Sequence, residues 1–415
     1  MEISLGNSAF VIMCAALVFL MTPGLAMFYS GMERRKNALN TLMSCFFICG
    51  VASVLWVIVG YSLSFGTDHG GIIGGFNHLF FNGVGATANE AYSATIPESL
   101  FAVFQMMFAI ITPALICGSL AGRMKFSALF IFVIAWSIIV YYPLAHMVWG
   151  DGGFLRQLGS VDFAGGNVVH ISSGVSGLVA CILLGKRREF GLVSYKPHNI
   201  PFVVIGAGLL WFGWFGFNGG SALAADGLAV HAIITTNTSA AIAMLSWMLI
   251  EKILHGKPTV LGAATGAVVG LVAITPAAGF VPVWASLVIG AAVSPLCYFF
   301  ITKVKGKFGY DDALDAFGCH GIGGIWGGIA TGLFTQKSIN STAQWNGLFF
   351  GETKLLVVQL IAIGITIVFA AVATFVIVSV IKVFMPIRVT QNEEALGLDV
   401  TEHSEFAYPS FTGMD

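Results

Sequence analysis

The chain has 415 residues, of which 57% are hydrophobic and only 9% are charged. Soluble domains average about 25% charged residues, so this composition excludes a soluble globular protein and indicates one embedded in a lipid bilayer. The net charge of −1 argues against a nucleic-acid partner, which would require a basic surface. The seven cysteines are odd in number and scattered through apolar segments, as is typical of small buried side chains rather than of disulfide or zinc frameworks.

Eleven segments free of Asp, Glu, Lys and Arg are long enough, or nearly so, to cross a bilayer, which takes about 20 apolar residues. The first lacks the basic stretch that precedes a cleavable signal, so we interpret it as a transmembrane helix. One long charge-free run is divided at the turn-like sequence Thr275-Pro276-Ala277-Ala278-Gly279. The predicted spans are residues 8–32, 37–65, 99–122, 126–150, 163–185, 199–225, 228–250, 259–276, 281–302, 316–336 and 355–381.

The basic residues predict how these spans are oriented. Of the 19 lysines and arginines, only Arg156, Lys337 and Lys354 fall on one side when eleven spans are counted, and all the others fall on the opposite side. Cytoplasmic loops carry the excess of basic residues. The N-terminus is therefore predicted to be outside and the tail after Ile381 cytoplasmic. A missed or extra span would scramble this segregation, so the charge pattern supports the count of eleven.

Two histidines lie inside predicted spans 5 and 10, each eight residues after an aspartate: His170 follows Asp162, and His320 follows Asp312. Because the two spans are five apart, they are predicted to be antiparallel, which makes the second half an inverted copy of the first. Eight helical residues rise about 12 Å, which brings each histidine near the middle of a core about 30 Å thick. An ionisable side chain at that depth indicates a functional site by default. The sequence therefore predicts a histidine pair at the membrane midplane.

Small residues flank both histidines at helical spacing. Residues four apart share one helix face, and glycines on such a face let two helices pack closely in lipid. The alternative is that these glycines serve packing alone and each histidine is a satisfied polar group in the core. The symmetric pair favours the functional interpretation. The residues concerned are Gly166, His170 and Gly174 in span 5, and His320, Gly324, Gly328 and Gly332 in span 10.

Six motifs in order and spacing resemble the ammonium transporters of the Amt/Mep/Rhesus group, over essentially the whole chain. They are residues 23–31 (PGLAMFYSG), 104–109 (FQMMFA), 145–150 (AHMVWG), 162–170 (DFAGGNVVH), 214–221 (WFGFNGGS) and 315–321 (DAFGCHG). The resemblance is to the Amt branch, and it implies a homotrimer with one pore per subunit, set in the cell (plasma) membrane.

The expected fold is an all-α integral membrane protein of eleven transmembrane helices, in an inverted five-plus-five repeat with an extra C-terminal helix. The transmembrane domain is predicted over residues 1–384, with inverted halves at about 1–190 and 195–340 and helix 11 at about 352–384. Residues 385–415 are predicted as a cytoplasmic regulatory tail.

The resemblance implies a role for each matching side chain. It puts Trp149, Ser221 and Phe108 at an outer ammonium-recruitment site, with Asp162 as a buried carboxylate nearby. Phe108 and Phe217 resemble a stacked gate below that site. His170 and His320 resemble the paired imidazoles of the pore and proton relay, while Trp214 and Thr275 match pore-proximal positions. No enzyme activity, metal or cofactor is expected.

The chemistry of ammonium explains why such residues are needed. Ammonium resembles potassium in size and charge, and moving a small ion into a low-dielectric pore costs of order 20 kcal/mol before any compensation. Ammonium alone can shed a proton and cross as neutral ammonia. Aromatic faces at the entrance can attract the cation by about 0.5–2 kcal/mol, and two adjacent imidazoles are expected to hold at most one proton. The resemblance implies net electrogenic uptake of ammonium.

Two of these residues also have ordinary structural roles. Asp162 precedes Phe163-Ala164-Gly165-Gly166, where an aspartate usually caps a helix; we expect capping to be the larger share of its role. Trp149 alone would be interpreted as an interfacial belt residue, and only the motif assigns it to a binding site.

Residues 397–409 resemble the family's regulatory tail, although composition alone would predict a disordered acidic segment. The resemblance implies that a PII-type signalling protein binds the cytoplasmic face. Lys303, Lys305 and Lys307, which are expected to face Asp311 and Asp312, could belong to that docking surface or serve as positive-inside anchors.

Three other functions deserve comparison with ammonium uptake. An ammonium sensor would use the same binding residues. A neutral ammonia channel of the Rhesus kind would lack the electrogenic step. An intramembrane metallohydrolase would use His170, His320 and Asp162 as ligands, but Asp162 lies about 12 Å along the helix from His170, too far for one ligand sphere.

Overall fold

The structure, a computed structural model, describes residues 2–193 and 195–408 and is almost entirely helical. Within that part, nine helices are long and apolar enough to cross a membrane, which confirms a multi-pass membrane protein. The eighth predicted span is a helix of 15 residues, Val260–Ile274. The tenth consists of two consecutive segments, Phe317–Gly321 and Ile322–Phe334, in which glycines dilute the apolar character. The count of eleven spans stays a prediction.

We number the helices in chain order. α1 is Leu5–Met32, α2 is Arg35–Phe65, α3 is Glu98–Leu120, α4 comprises Phe126–Trp136, Ser137–Tyr141 and Tyr142–Trp149, α5 is Gly166–Leu184, α6 is Ile200–Gly219, α7 is Gly227–His255, α8 is Val260–Ile274, α9 is Val283–Phe308, α10 comprises Phe317–Gly321 and Ile322–Phe334, α11 is Lys354–Phe384, α12 is Gln391–Leu396 and α13 is Leu398–His403. Short helical turns also occur at Leu79–Phe81, Phe154–Gln157 and Leu348–Phe350, and a two-stranded antiparallel hairpin pairs Asp68–His69 with Ile73–Gly74.

Polar side chains fix where several helices begin. Ser4, Asn199, Asp226 and Thr259 each accept a hydrogen bond from a backbone N–H in the first turn of the helix that follows, as N-cap residues do. The predicted division of the long charge-free run is confirmed, because α8 ends at Ile274 and α9 begins at Val283.

Glycine residues, which have no side chain, allow α5 and α10 to pack closely together. A Cβ atom built on Gly174 would lie only 2.5 Å from Gly321 Cα, and one built on Gly324 would lie 3.0 Å from His170 Cβ. The two helices therefore meet through backbone atoms beside the histidines. Gly328 and Gly332 pack instead against Ile363 and Leu356 of α11, so only part of the predicted glycine face serves the contact between α5 and α10.

The described part of the tail contains two short helices, α12 and α13, unlike the disordered segment that composition alone would predict. Residues 409–415 lie outside the described part. The Asp399 carboxylate accepts a hydrogen bond of 2.8 Å from the backbone N–H of Asn40 near the start of α2. Glu402 accepts one of 2.9 Å from the N–H of Phe126, the first residue of α4. The tail thus caps two helices on the predicted cytoplasmic face.

Candidate functional site

Asp162 organises the start of α5. Its two carboxylate oxygens accept hydrogen bonds from the backbone N–H groups of Gly165, Gly166 and Asn167 at 2.6–2.8 Å. Gly165 has a φ of +120°, a conformation that favours glycine. The helix then opens with a π-helical turn over Gly166–Ile171 that contains His170. Asp162 therefore has the capping geometry that the sequence predicts.

α10 begins in the same way. Asp312 accepts hydrogen bonds from the N–H groups of Ala316 and Phe317 at 3.1 and 2.8 Å, and from the Ser119 hydroxyl at 2.7 Å. A π-helical turn over Phe317–Gly321 follows and contains His320. Such turns are rare and occur frequently at functional sites. The two histidine-bearing helices therefore share the cap, the π turn and the spacing from aspartate to histidine.

The two imidazoles are in contact, as the sequence predicts. Their Nδ1 atoms are 3.4 Å apart, and the rings lie 5.4 Å apart at an angle of 20°. If this contact is a hydrogen bond, one Nδ1 carries a proton and the other accepts it. His170 Nε2 is buried and has no hydrogen-bond partner among the described residues. An unsatisfied buried nitrogen is unusual and is available to hydrogen-bond a small ligand.

Trp214 and Thr275 lie next to this pair. The Trp214 ring stacks on His170 at 5.5 Å and 22°, and its indole N–H donates to Thr275 Oγ1 at 2.9 Å. Thr275 in turn donates to the Leu271 carbonyl, so its hydroxyl fixes the tryptophan rather than facing the pore. The surrounding lumen has a free volume of about 10 Å³, room for a single water. Its other lining residues are the apolar side chains Met21, Leu25, Ile111, Leu115, Val169, Leu210, Phe217 and Val268.

Two phenylalanines separate the lumen from the outside. The Phe108 and Phe217 rings lie 4.3 Å apart at 36°, and Phe217 lies 6.2 Å from His170 at 24°. Both phenylalanines are buried. The predicted gate residues are therefore together, directly between the histidine pair and the vestibule described next.

The four predicted recruitment residues line one open cavity of about 260 Å³: Phe108, Trp149, Asp162 and Ser221. Trp149 meets Phe108 edge-on at 6.0 Å, and its indole N–H donates to the Asp162 backbone carbonyl at 2.9 Å. The Ser221 hydroxyl donates to the Phe217 carbonyl at 2.8 Å, which leaves its oxygen free to accept from a ligand. We call this cavity the outer vestibule.

Sequence reasoning missed two residues that support the outer vestibule. Arg156, interpreted only as an outward basic residue, donates to the Trp149 carbonyl at 3.0 Å. His146 is fully buried, with Nδ1 3.0 Å from the Ser64 carbonyl and Nε2 2.9 Å from the Asp68 carboxylate. The sequence feature that could have identified His146 is its position one helical turn before Trp149 in the AHMVWG motif.

The predicted cytoplasmic lysines behave differently from one another. Lys305 Nζ lies 2.7 Å from Asp315 Oδ1 and 2.6 Å from the Asp312 carbonyl oxygen, whereas Lys303 and Lys307 are exposed. Asp311 pairs with Arg187 through both carboxylate oxygens. Burial alone would raise the pKa of Asp311, but the hydrogen bonds and charge of Arg187 hold this pKa below its usual value. The expectation that all three lysines face Asp311 and Asp312 is wrong. Lys305 contacts the backbone carbonyl of Asp312, but the turn at residues 311–315 directs the Asp311 carboxylate to Arg187.

The side chains of the described residues do not form a metal centre. Among residues 2–193 and 195–408, no group of three or more His, Cys, Asp and Glu side chains is arranged to hold a metal ion. The Asp162 oxygens are occupied by backbone N–H groups, which agrees with its separation from the histidine pair.

Comparisons with known proteins extend along nearly the whole chain. The model of the Ammonium Transporter Family matches residues 9–408. An ammonium transporter of Bacillus subtilis (strain 168) is 53% identical over 404 residues, covering 97% of this chain and 98% of the relative. The crystal structure of Saccharomyces cerevisiae Mep2 has a TM-score of 0.90 at 36% identity, covering 99% and 93% of the two chains. A solved structure described as a sensor Amt protein has a TM-score of 0.88 at 28% identity, covering 96% and 98%.

Proposed function

The chain belongs to the ammonium transporter family, and from that premise we propose that it takes up ammonium across the plasma membrane as separated ammonia and proton. Ammonium binds in the outer vestibule, loses a proton, and ammonia passes the phenylalanine gate to the lumen of His170 and His320. The observation that carries the proposal is the pair of touching imidazoles in an otherwise apolar lumen, directly behind an aromatic gate.

The outer vestibule recruits ammonium through weak interactions, so the cation binds without being retained. The faces of Trp149 and Phe108 offer about 0.5–2 kcal/mol of cation–π attraction. Ser221 offers a hydroxyl oxygen to an N–H of ammonium. The Asp162 charge lies behind the vestibule and favours a cation there, although backbone N–H groups already neutralise much of its field.

Selectivity follows from the size and polarity of the lumen. A space for about one water strips a passing ion of its hydration shell, which costs of order 20 kcal/mol for a bare charge in a low-dielectric medium. The recruitment forces are about ten times too weak to compensate. Potassium has no proton to lose and is rejected, whereas ammonia is neutral and can hydrogen-bond to the imidazole nitrogens.

The architecture that we propose has eleven spans in an inverted five-plus-five repeat with helix 11 added, and the N-terminus outside. The shared cap, π turn and spacing of α5 and α10 support the repeat. We also propose a transmembrane domain of residues 1–384, a cytoplasmic regulatory tail of residues 385–415, a homotrimer with one pore per subunit, and binding of a PII-type signalling protein on the cytoplasmic face. The docking of the tail on α2 and α4 supports a regulatory role for it.

Two related functions compete with electrogenic uptake. A sensor needs a binding site, and one structural neighbour is described as a sensor. The lumen behind the gate, which contains His170 and His320, favours transport. A neutral ammonia channel would use the same lumen without net charge movement.

Current recording on a solid-supported membrane separates these functions. Purified protein in proteoliposomes should give a transient current after a jump in ammonium and none after an equal jump in potassium. We expect His320→Ala to reduce the ammonium current or to admit potassium. His255→Ala, on an exposed histidine, should do neither. Internal alkalinisation without current would replace the proposal by a neutral channel, and the absence of both signals would contradict transport.

A further inference from the structure

Gln359 is a fully buried amide in the second turn of α11. We propose that it is a positioning residue of the outer vestibule, which holds residues 160–162 in place and through them sets the orientation of Trp149 toward ammonium. This inference deepens the proposed function and rests on it for the identity of the ligand.

The Gln359 side chain satisfies both backbone groups of Val161. Its Oε1 accepts the Val161 N–H at 3.0 Å, and its Nε2 donates to the Val161 carbonyl at 2.8 Å. The same Oε1 also accepts the Ser160 hydroxyl at 2.8 Å. Because a backbone N–H only donates and a carbonyl only accepts, these contacts fix which way the amide faces. Gln359 thus clamps residues 160–161 to α11.

The clamped segment forms a wall of the outer vestibule. Ser160, Val161 and Asp162 line this cavity together with Trp149. The Asp162 carbonyl, one residue after the clamp, accepts the indole N–H of Trp149 at 2.9 Å, so this carbonyl sets the tilt of the ring. A cation–π contact requires the cation to lie over the ring face. A shift of the clamped segment would therefore weaken the attraction of ammonium.

Loss of the clamp would disturb this wall because the segment is buried. Without the Gln359 amide, the N–H and carbonyl of Val161 would have lost their partners. Buried backbone groups are seldom left unpaired, so the segment would shift until both groups found new partners. Its open side is the outer vestibule, and the shift would enter the space where ammonium binds.

The residue before the capping aspartate is held at both histidine-bearing helices, but by different chemistry. At α10 this residue is Asp311, and its carbonyl accepts a hydrogen bond from the Arg123 guanidinium. At α5 it is Val161, held by the neutral Gln359. A permanent positive charge in the position of Gln359 would repel ammonium in the outer vestibule. A neutral amide supplies the donor and the acceptor without that repulsion.

The first test separates the half-saturating ammonium concentration from the maximum current. Gln359→Met keeps a side chain of similar length but removes all three hydrogen bonds. On a solid-supported membrane we expect it to raise the half-saturating concentration about threefold or more, with a maximum current close to that of the parent chain. Thr374→Val is the matched control, because Thr374 is equally buried on α11 and donates to Ser176 of α5. It should leave the half-saturating concentration unchanged.

The decisive measurement places Gln359→Met in a Trp149→Phe background. Phenylalanine keeps an aromatic face but lacks the indole N–H that donates to the Asp162 carbonyl. If Gln359 acts through that hydrogen bond, its replacement should raise the half-saturating concentration much less in this background, whereas the effects of independent sites multiply. Binding is also followed without transport, as the rise of the thermal unfolding midpoint with ammonium chloride relative to potassium chloride.

Two results would overturn the inference and leave Gln359 as a structural brace. One is an equal fold-change in both backgrounds; the other is an unchanged half-saturating concentration in Gln359→Met. If that variant does not fold, Ser160→Ala removes one of the three hydrogen bonds, and its smaller rise should also vanish with Trp149→Phe; no rise would again overturn the inference. A parent chain that binds ammonium without current would contradict the proposed uptake, while the binding titration would still decide the role of Gln359. A parent chain that does not bind ammonium would contradict both.

Discussion

Replacing Gly174 by alanine should disable the histidine pair with little loss of overall stability. The new methyl group would lie 2.5 Å from Gly321 Cα, where ordinary van der Waals contact begins at 3.4 Å. The obstacle is backbone of α10, which has no flexible end that could turn aside. α5 and α10 must therefore separate locally by about 1 Å, next to a pair of Nδ1 atoms that are 3.4 Å apart.

The expected energies decide how the variant fails. Overpacking of this kind costs about 1–3 kcal/mol, while alanine is better than glycine inside a helix by about 1 kcal/mol. The net loss is then at most about 2 kcal/mol, which a chain of this size tolerates with a shift of a few degrees in its unfolding midpoint. The Nδ1 contact, by contrast, passes beyond hydrogen-bond distance after a shift of a few tenths of an ångström.

The assay pairs thermal unfolding with ammonium current recording. We expect Gly174→Ala to be expressed and folded, with a slightly lower midpoint, and to lose most of its ammonium current. Gly364→Ala is the matched control, because a Cβ at that membrane-helix glycine has no atom within 4 Å; it should be as stable and active as the parent chain. Normal current with normal potassium exclusion in Gly174→Ala would refute the argument that backbone contact sets the histidine spacing.

Two further predictions concern the faces of the molecule. Asp399→Ala removes the carboxylate that caps the start of α2, at a cost of about 1–3 kcal/mol for a charged hydrogen bond. It should speed limited proteolysis of the tail, whereas the exposed Glu405→Ala should not; equal rates would count against docking through the carboxylate. On the outer side, the hydrogen bond from His146 holds the pKa of Asp68 below 3.8. The stabilisation that ionised Asp68 contributes to the folded state is therefore fully present above about pH 3.8, the pKa of an unperturbed aspartate. It is lost as the pH falls through the lower pKa that Asp68 has in the folded state. Asp68→Asn should flatten this acid limb of the midpoint–pH curve, and an unchanged limb would disprove the assignment.

The sequence predicts those features that depend on local pattern. Hydropathy gives the long spans because a bilayer demands about 20 apolar residues, and helical rise predicts that His170 and His320 lie at one depth. The Asp162 cap is predictable because capping joins residues three to five apart. The motif resemblance brings together the predicted recruitment and gate residues, which are far apart along the chain.

Other features depend on contacts that no local pattern encodes. The π-helical turns at both histidines have no counterpart in the hydropathy pattern. Each step of four residues also drifts by about 40° around a regular helix, and Gly328 packs against Ile363 of α11 rather than against α5. Lys305 pairs with Asp315, not with the Asp311 side chain, because a positive φ at Asp315 reverses the turn. His146 is paired across different elements with Asp68, and its burial follows from tertiary packing.

In the proposed mechanism, the geometry of the histidine pair limits how a proton can follow ammonia. Two charges about 4 Å apart repel by about 4 kcal/mol at an effective dielectric constant of 20, close to a thousandfold penalty, so at most one of the two rings is a charged imidazolium at a time. A proton on the touching Nδ1 atoms needs an exit, and His170 Nε2 has no partner among the described residues. The lumen has room for about one small molecule. On the proposed mechanism, the molecule in that space is the hydrogen-bond partner of the pair during proton transfer, whether it is water or the ammonia left when ammonium gives up its proton.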